Sequence, residues 1–308
     1  MELPTIEHRY EHLVFDSARW ADFQPRPDDI FICTSYKAGT TWTQMLCALL
    51  IFRTADFGQP LTTITPWLDL KATPIDELLA IYEAQTHRRF IKTHTPLDGL
   101  PYFPEVTYLT VGRDPRDVFM SMLNHLQNGN PETQARLFGE PEEPQPAMPE
   151  DPNELFRIWL TTPSFEWEED GFPYWSHFRH AATFWRFRHL PNIHLFHYSD
   201  YKGDLPGEMR RLADALAIEI SDEELVILAE AAGFDAMKAR ADELAPDVDH
   251  NMWADNGAFF NKGKSGQWSG VLTEESLALY EQKKAAQPGQ LGAWLEQGSR
   301  AVGDPRAL

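Results

Sequence analysis

The residues from 29 to 52 constrain the fold more than any other part of the sequence. The apolar run "IFIC" at 30–33 is followed by the polar turn "TSYKAGTT" at 34–41 and then by the apolar run "MLCALLIF" at 45–52. A short apolar run between polar turns is typical of a strand that is buried on both faces. The pattern predicts a strand over 29–35 followed directly by a helix over 40–52, which is the beginning of an α/β fold.

Three later segments repeat this pattern. "RFIKTH" at 89–94, "VTYLTVGR" at 106–113 and "NIHLFHYSD" at 192–200 are each apolar in the middle and polar at the end. The second runs into a predicted helix over 114–128, where Asp114 can cap and Pro115 suits the first helical position. The alternation of strands and helices predicts a parallel sheet with helices on both faces, in one domain over 1–308.

The turn at 34–41 has the composition of an anion-binding loop. Gly39 allows a close backbone approach, while Thr40 and Thr41 begin a helix whose N–H groups point at one position. Lys37 adds a positive charge. However, the lysine precedes the glycine, unlike the G-x-x-x-x-G-K-[ST] loop of metal-dependent nucleotide triphosphatases. The pattern favours a phosphate site without that machinery, and an ordinary turn with a solvated lysine is the alternative.

The overall charge excludes several classes of partner. The formal net charge of −20 argues against general binding of nucleic acids or anionic membranes, which require a basic surface. An anion site must therefore be a local cationic exception. The first residues, "MELPTIEHRYEH", do not resemble a signal peptide, and no apolar run approaches the length of a membrane span. We expect a cytoplasmic protein.

Five segments together resemble the cytosolic-type sulfotransferase family, in particular its bacterial-like members that act on small molecules. "TSYKAGTTW" at 34–42 resembles the family's 5′-phosphosulfate loop, T-Y-P-K-S-G-T-T-W, and departs from it at Ser35, Tyr36 and Ala38. Four more segments follow in the family's order: "IKTHTP" at 91–96, "VGRDPRDVFMSML" at 111–123, "LFHYSDYKGD" at 195–204 and "NKGKSGQW" at 261–268.

The resemblance implies a doubly wound parallel sheet with a P-loop-like nucleotide site, flanked by helices. It also implies transfer of a sulfuryl group from 3′-phosphoadenosine 5′-phosphosulfate (PAPS) to a hydroxyl or amine of a small organic acceptor. The product would be adenosine 3′,5′-bisphosphate (PAP). The residues that the resemblance implies for the cofactor site are Lys37, Ala38, Gly39, Thr40, Thr41, Trp42, Arg113, Ser121, Tyr198, Phe234, Asn261, Lys262 and Gly263.

His94 is the candidate catalytic base. It ends a predicted strand, where a side chain can reach a crevice at the carboxyl edge of the sheet. A neutral imidazole there can take a proton from the attacking hydroxyl, because its usual pKa lies near neutrality. Lys92, two residues earlier, resembles the family's second active-site lysine, and Lys37 would stabilise the leaving nucleotide.

The late loop departs from the family's R-K-G-x-x-G-D-W pattern. Asn261 stands where the family has an arginine, so a bidentate phosphate donor is lost, and Lys264 adds a point charge nearby. The family's dimer motif, K-x-x-x-T-V-x-x-x-E, is also largely absent, with Thr273 the one match. A dimer through that motif is therefore not expected, and the oligomeric state is left open.

Several alternatives stay open at this point. The Pro- and Glu-rich stretch predicts a mobile substrate-side loop at about 129–153, acting as a lid or as disorder without function. A P-loop phosphotransferase or a non-catalytic nucleotide-binding module would also explain Lys37 and Gly39. His8 and His12 are one helical turn apart but lack an acidic or third ligand nearby, so no metal is predicted.

Overall fold

Four parallel strands form the central sheet of this computed structural model, which describes residues 2–139, 148–244, 253–255, 257, 260 and 263–308. The strands are Ile30–Cys33 (β1), Phe90–Thr93 (β2), Thr107–Gly112 (β3) and Ile193–His197 (β4). Their order across the sheet is β2-β1-β3-β4, and every neighbouring pair is parallel. The four predicted strands are confirmed, each slightly shorter than the segment in which it was predicted.

The strand order reverses beside β1. The chain moves from β1 outward to β2, then returns to β3 on the other side of β1 and continues to β4. Loops leaving the carboxyl ends of β1 and β3 therefore diverge to opposite faces and leave a crevice between them, which is where ligands bind in open α/β sheets. Lys37 follows β1 and Arg113 follows β3, so both lie at this crevice.

The sheet separates two apolar cores, because successive side chains of a strand point to opposite faces. Phe31 and Cys33 of β1 belong to one core, together with aromatic residues of the helix at 177–186. Ile30 and Ile32 belong to the other, together with most of the helix at 40–52. All four of these β1 side chains are fully buried, which explains the uninterrupted apolar run in the sequence.

Helices cover both faces of the sheet. Two short 3-10 helices occur at Ser17–Asp22 and Leu97–Gly99. The α-helices among the described residues are α1 (Thr40–Phe52), α2 (Leu61–Ile64), α3 (Ile75–Ala84), α4 (Pro115–Asn128), α5 (Pro131–Phe138), α6 (Pro152–Thr161), α7 (His177–Arg186), α8 (Tyr198–Gly203), α9 (Leu205–Ala215), α10 (Asp222–Ala231), α11 (Phe234–Ala239), α12 (Ala241–Leu244), α13 (Glu274–Ala285), α14 (Leu291–Gln297) and α15 (Ser299–Val302). Within the portion of the chain that is described, none of these helices is both long and apolar enough to pass through a bilayer.

The helices that matter most for the crevice begin as predicted. α1 starts at Thr40, directly after Gly39, and α4 starts at Pro115 with Asp114 as its N-cap. The Asp114 carboxylate accepts the Arg116 N–H at 2.9 Å. Both helices therefore present their N-terminal N–H groups to the same edge of the sheet, where a helix dipole favours an anion.

The stretch from 129 to 153 differs from the prediction of a loop. It contains helix α5, and residues 140–147 within it lie outside the described residues. The Asn130 side chain caps α5 by accepting the N–H groups of Glu132 and Thr133 at 3.1 and 3.3 Å. The mobility of the stretch stays a prediction.

Candidate active site

A single cavity of about 480 Å³ collects almost all of the predicted site residues. It lies over the carboxyl ends of the central strands. The predicted residues that line it are Lys37, Gly39, Thr40, Thr41, Trp42, Lys92, His94, Arg113, Ser121, Tyr198, Phe234 and Gly263. Asn261 and Lys262 lie outside the described residues, and Ala38 does not line the cavity. Residues that are far apart in sequence therefore face one common space.

The loop after β1 turns sharply at Gly39. Its φ of 121° is rarely adopted by residues with a side chain, and an added Cβ would come within 3.3 Å of the Tyr198 ring. Thr40 begins α1, and its hydroxyl hydrogen-bonds to the hydroxyl of Thr34. Ala38 is fully buried and donates its N–H to Ser35 O at 3.3 Å, so it supports the loop from beneath.

Three cationic side chains enter the cavity from three segments. Lys37 comes from the loop after β1, Lys92 from β2 and Arg113 from the end of β3. Burial, with further contributions from Arg113 and Lys92, lowers the pKa of Lys37 to about 7. No aspartate or glutamate is found among the described residues that line the cavity. The chain has a net charge of −20, but this cavity is locally cationic, as the binding of an anion requires.

Arg113 is held firmly but is not fully satisfied. Its Nη1 donates to Lys37 O at 2.7 Å, and its guanidinium carbon lies 4.1 Å from the centre of the Tyr198 ring. Its exposed fraction is only 7%, yet its Nε has no hydrogen-bond partner within the described part of the chain. A buried guanidinium with an unused donor is costly unless a ligand completes its bonding.

His177 connects the two loops at the crevice, a role that sequence reasoning missed. Its Nε2 donates to Arg113 O at 3.0 Å, because a carbonyl can only accept. Its Nδ1 is therefore the acceptor for the Ser35 hydroxyl. Burial lowers the pKa of His177 to about 4, so the ring stays neutral and keeps this arrangement. The sequence offered one hint, namely that Ser35 stands where the family loop has a tyrosine. Nothing near position 35 indicates a partner 142 residues away.

His94 is positioned with one nitrogen directed into the cavity. Its Nδ1 lies 2.8 Å from Thr34 O and must carry the proton, since the carbonyl accepts. The lone pair therefore belongs to Nε2. Burial, and to a lesser degree the charge of Lys92, lowers the pKa of His94 well below its usual value. A neutral imidazole with Nε2 as its basic atom is the form that a general base requires.

The late loop is tied to the start of α4. The Asp117 carboxylate accepts the N–H groups of Gly266 and Gln267 at 2.9 to 3.2 Å. Gly263 packs on Phe234, where an added Cβ would lie 2.5 Å from the ring, and its φ is 59°. Asp117 therefore anchors the loop beside Arg113.

The opposite end of the cavity is apolar and was largely missed. Its described residues come from the N-terminal segment, from the segment around 67–70, from α5 and from scattered aromatic positions: Leu13, Val14, Trp67, Leu70, Phe138, Tyr174, Trp253 and Phe260. The sequence had pointed only to the stretch at about 129–153, which contributes Phe138. Contributions from Leu13, Val14 and Trp253 could not be read from a local pattern.

Among the residues that the structure describes, one group of potential metal ligands lies away from this cavity. Glu7, His8 and Asp98 bring one ligand atom each within 4.8 Å of one another. However, Asp98 already accepts a hydrogen bond from Tyr10 at 2.9 Å and pairs with Arg179. The absence of a metal from the reaction stays a prediction.

Comparisons with known proteins agree with this arrangement. The family model described as "Sulfotransferase domain" matches residues 27–285. The glycolipid sulfotransferases of Mycobacterium bovis and Mycobacterium tuberculosis are each 41% identical to the chain, with 96% of the chain and 96% of each relative covered. Sulfotransferase 1A1 of dog is 27% identical, with coverage of 82% and 80%.

Two solved structures share the fold. A retinol dehydratase in complex with androsterone and the inactive cofactor PAP superposes with a TM-score of 0.66 at 24% identity, covering 89% of the chain and 85% of that protein. A mouse sulfotransferase, SULT7A1, in complex with PAP gives a TM-score of 0.67 at 20% identity, covering 91% and 92%.

Proposed function

The chain belongs to the sulfotransferase family and is a sulfotransferase, and from this premise we propose that it transfers the sulfuryl group of PAPS to a hydroxyl or amine of an acceptor with an apolar body. The observation that carries the proposal is the joint presence of three cations and a neutral histidine in one cavity. The phosphotransferase alternative is not favoured, because the matching family model and the mycobacterial relatives are sulfotransferases.

The residues fit a nucleotide that carries two separate anionic groups. Lys37 and the N-terminus of α1 would receive the phosphosulfate end. The Nε of Arg113 is a buried donor without a partner in the described chain, and it would receive the 3′-phosphate together with Ser121. Lys37 follows β1 and Arg113 follows the adjacent strand β3, so each cation could receive one anionic group of the same ligand.

Three aromatic residues support the placement of the base. Trp42, Tyr198 and Phe234 line the cavity, with the ring centres of Trp42 and Tyr198 5.3 Å apart. The indole N–H of Trp42 is buried and has no partner among the described residues, so it can donate to a ring nitrogen or ribose oxygen. The proposed nucleotide site comprises Lys37, Gly39, Thr40, Thr41, Trp42, Arg113, Ser121, Tyr198, Phe234 and Gly263, with Ala38 as support and Asn261 and Lys262 as continuing predictions.

PAPS, when bound, supplies an electrophilic sulfur whose bond to the phosphate oxygen is broken during transfer. His94 would accept the proton of the acceptor hydroxyl at Nε2 as that oxygen bonds to the sulfur. The Nδ1 bond to Thr34 O keeps Nε2 directed at the acceptor and fixes the tautomer. Because the His94 ring is neutral before the reaction, its Nε2 can accept this proton.

The two lysines would stabilise negative charge on either side of the reacting centre. Lys37 would donate to the oxygen that receives the electron pair, and Lys92 to the oxygens of the moving sulfuryl group. Lys92 lies over the Trp67 ring at 5.1 Å, which fixes its ammonium group near His94. Fixed cations in a site shielded from water lower the barrier because they need not reorganise during transfer.

The acceptor is proposed to combine a polar end with an apolar body. Leu13, Leu70, Phe138 and Trp253 supply an apolar wall that would bury such a body. The two mycobacterial relatives are named for glycolipid acceptors, and an amphiphilic acceptor is compatible with this wall. We retain the predictions of a cytoplasmic location, of no nucleic-acid partner and of no dimer through the family motif.

The proposal is tested by incubating the protein with PAPS and a panel of long-chain alcohols, amines and alkyl glycosides, and by detecting products by mass spectrometry. We expect equimolar formation of PAP and of a sulfated acceptor, without added metal. Release of PAP without a sulfated product, or no PAP with any acceptor, would contradict the proposed reaction.

A further inference from the structure

A fully buried carboxylate holds the segment of chain that carries His94. The Asp69 side chain has no exposed surface. Its Oδ2 accepts the hydroxyl protons of Thr93 and Thr95 at 2.6 and 2.5 Å. These two threonines are the residues immediately before and after His94. One carboxylate oxygen therefore holds the chain on both sides of the proposed base.

The other hydrogen bonds of this group leave it little freedom. Asp69 Oδ1 accepts the indole N–H of Trp20 at 3.1 Å, and Asp69 O accepts the N–H of Asp16 at 2.9 Å. Thr93 Oγ1 donates to the carboxylate and also accepts the N–H of Thr95 at 3.0 Å. Each group thus has one defined donor or acceptor role, and these bonds favour a single conformation of residues 93–95.

The carboxylate lies behind the proposed base. The hydroxyls of Thr93 and Thr95 reach the same oxygen atom, so both threonines point to one side of the backbone. His94 lies between them and lines the cavity, which neither threonine does. Its Nδ1 donates to Thr34 O at 2.8 Å. The direction of Nε2 is therefore fixed twice, once behind the backbone and once at the ring.

Burial of a carboxylate among neutral groups is costly. The three side-chain donors to Asp69, which are Trp20, Thr93 and Thr95, are uncharged. Burial raises the pKa of Asp69 above its usual value, and the hydrogen bonds from the two threonines oppose that rise. An apolar residue would avoid this cost but could not hold the neighbours of His94.

Asp69 also joins the proposed base to the apolar wall of the cavity. Trp67 and Leu70, on either side of Asp69 in the chain, line the cavity. Trp67 pairs with Lys92 of β2 in a parallel bridge, and its ring lies 4.8 Å from the His94 ring. The wall that would contact the acceptor and the base that would meet its hydroxyl are thus attached to each other.

We propose that Asp69 is a positioning residue for His94. Through the hydroxyls of Thr93 and Thr95, it holds the histidine so that Nδ1 donates to Thr34 O and Nε2 faces the acceptor. Asp69 does not line the cavity, so it acts only through His94 and takes no proton during transfer. The proposal rests on the proposed function, because it takes His94 as the base.

The first measurement does not depend on turnover. Nitrogen-15 NMR of the histidine rings reports which nitrogen carries the proton, and the signal that is missing in His94→Gln identifies His94. We expect one tautomer in the wild type, with the proton on Nδ1. In Asp69→Asn and Thr95→Val, both ring nitrogens should move toward the values of a tautomer mixture, because the ring is no longer held against Thr34 O.

Steady-state kinetics with PAPS and a sulfated acceptor give the second measurement. Asp69→Asn keeps the volume of the side chain, but its amide nitrogen is a donor and cannot accept from the groups that surround it. We expect kcat to fall by about tenfold to hundredfold, the cost of a misplaced catalytic group, while the Kd for PAP is unchanged. Thr95→Ser keeps the hydroxyl and should retain most of the kcat that Thr95→Val loses.

The matched control is Asp29→Asn. Asp29 is also a buried carboxylate, with an exposed fraction of 2%, but it precedes β1 and pairs with Arg89 at 2.5 Å. This substitution should lower the Tm without altering the ring signal of His94 or kcat. The control separates a loss of positioning from a general loss of stability.

Three results would overturn the proposal. The first is a His94 ring signal that matches the wild type in both Asp69→Asn and Thr95→Val; if Asp69→Asn does not fold, Thr95→Val decides alone. The second is a wild-type kcat in variants whose ring signal is altered. The third is a Thr95→Ser protein as impaired as Thr95→Val. If the tautomer depends on Asp69 but no acceptor is sulfated by PAPS, the proposed function fails and the positioning of His94 stands.

Discussion

The two ends of the cavity differ in how the chain builds them. At the end proposed to hold the nucleotide, called the nucleotide end below, Lys37 follows β1 and Arg113 follows β3, and the N-termini of α1 and α4 lie beside them. At the acceptor end, the side chains come from segments as far apart as Leu13 and Trp253. The nucleotide end is therefore a property of the sheet edge, whereas the acceptor end depends on how loops and short helices pack.

This difference has a chemical counterpart. The nucleotide end carries cations and, among the described lining residues, no carboxylate; the acceptor end is mainly apolar, with polar groups from Tyr36, His125, Gln134 and Tyr174. His94 lies where they meet, bonded to Thr34 O on one side and in contact with the Trp67 ring on the other, with ring centres 4.8 Å apart. Substitutions should therefore separate into effects on nucleotide affinity, on acceptor affinity and on turnover.

The largest effect is expected at His94, where the two ends of the cavity meet. His94→Ala should lower turnover by about 10² to 10⁴-fold, the usual contribution of a general base, while PAP affinity changes little. Steady-state kinetics and calorimetric titration measure the two quantities. His189→Ala, which changes an exposed histidine, should leave both unchanged. Near-normal turnover in a folded His94→Ala protein would remove His94 from the mechanism.

The second effect tests the nucleotide end. Arg113→Ala should weaken PAP binding by roughly 2–4 kcal/mol, because it removes a buried guanidinium from the proposed 3′-phosphate site. Binding of adenosine 5′-monophosphate, which lacks that phosphate, should weaken far less. Arg157→Ala changes an exposed arginine and serves as the control. Equal losses for the two nucleotides would contradict the assignment of Arg113 to the 3′-phosphate.

A third prediction concerns pH. The pKa of Lys37 is lowered to about 7 in the free protein, and a bound anion should raise it. Above pH 7 the free lysine loses its proton and must regain it on binding, so PAP affinity should fall as pH rises, by at most about tenfold per pH unit. Calorimetry at pH 8 in buffers with different ionisation heats should detect proton uptake.

The matched control for this pH dependence is Lys37→Arg. An arginine stays protonated throughout this range, so the proton uptake assigned to position 37 should disappear. If the wild-type protein takes up no proton at pH 8, then Lys37 is already charged before binding. In that case the cationic end of the cavity is less strongly desolvated than its burial implies.

The smallest effect is expected at the acceptor end. Leu13 lines the cavity and has an exposed fraction of 38%, so Leu13→Ala should raise the acceptor KM only about threefold to tenfold through lost apolar contact. PAP affinity should not change. Leu3→Ala alters an exposed leucine of the same segment that does not line the cavity. A change in PAP affinity caused by Leu13→Ala would show that the two ends are not separable.

Sequence patterns predicted the parts of the fold that are encoded locally. The strands β1 to β4 are recognisable because their apolar runs are buried on both faces, and α4 because Asp114 and Pro115 mark its start. Helix α5 was missed because its Pro- and Glu-rich surroundings are typical of loops. Asn130 followed by Pro131 is typical of a helix start, but the Pro- and Glu-rich composition of the stretch favoured a loop.

The candidate site also has one part that could be predicted from the sequence and one part that could not. Lys37, Gly39, Thr40 and Thr41 were predicted from the strand-turn-helix pattern at 34–41, and the other residues at the proposed nucleotide end were predicted from the resemblance to the family. Contacts such as those of His177 with Ser35 and Arg113, or of Tyr36 with His125, join residues that only the packed chain brings together. No local periodicity contains information about such pairs, so the acceptor end had to be read from the structure.

The most direct test of the account is the binding of nucleotides to the wild-type protein. PAP, ADP and ATP should be titrated by calorimetry, each with and without magnesium. The account predicts that PAP binds most tightly and that magnesium does not alter its affinity, because Lys37 and Arg113 supply the positive charge. Tighter binding of magnesium ATP than of PAP would contradict the assignment of this cavity to PAPS.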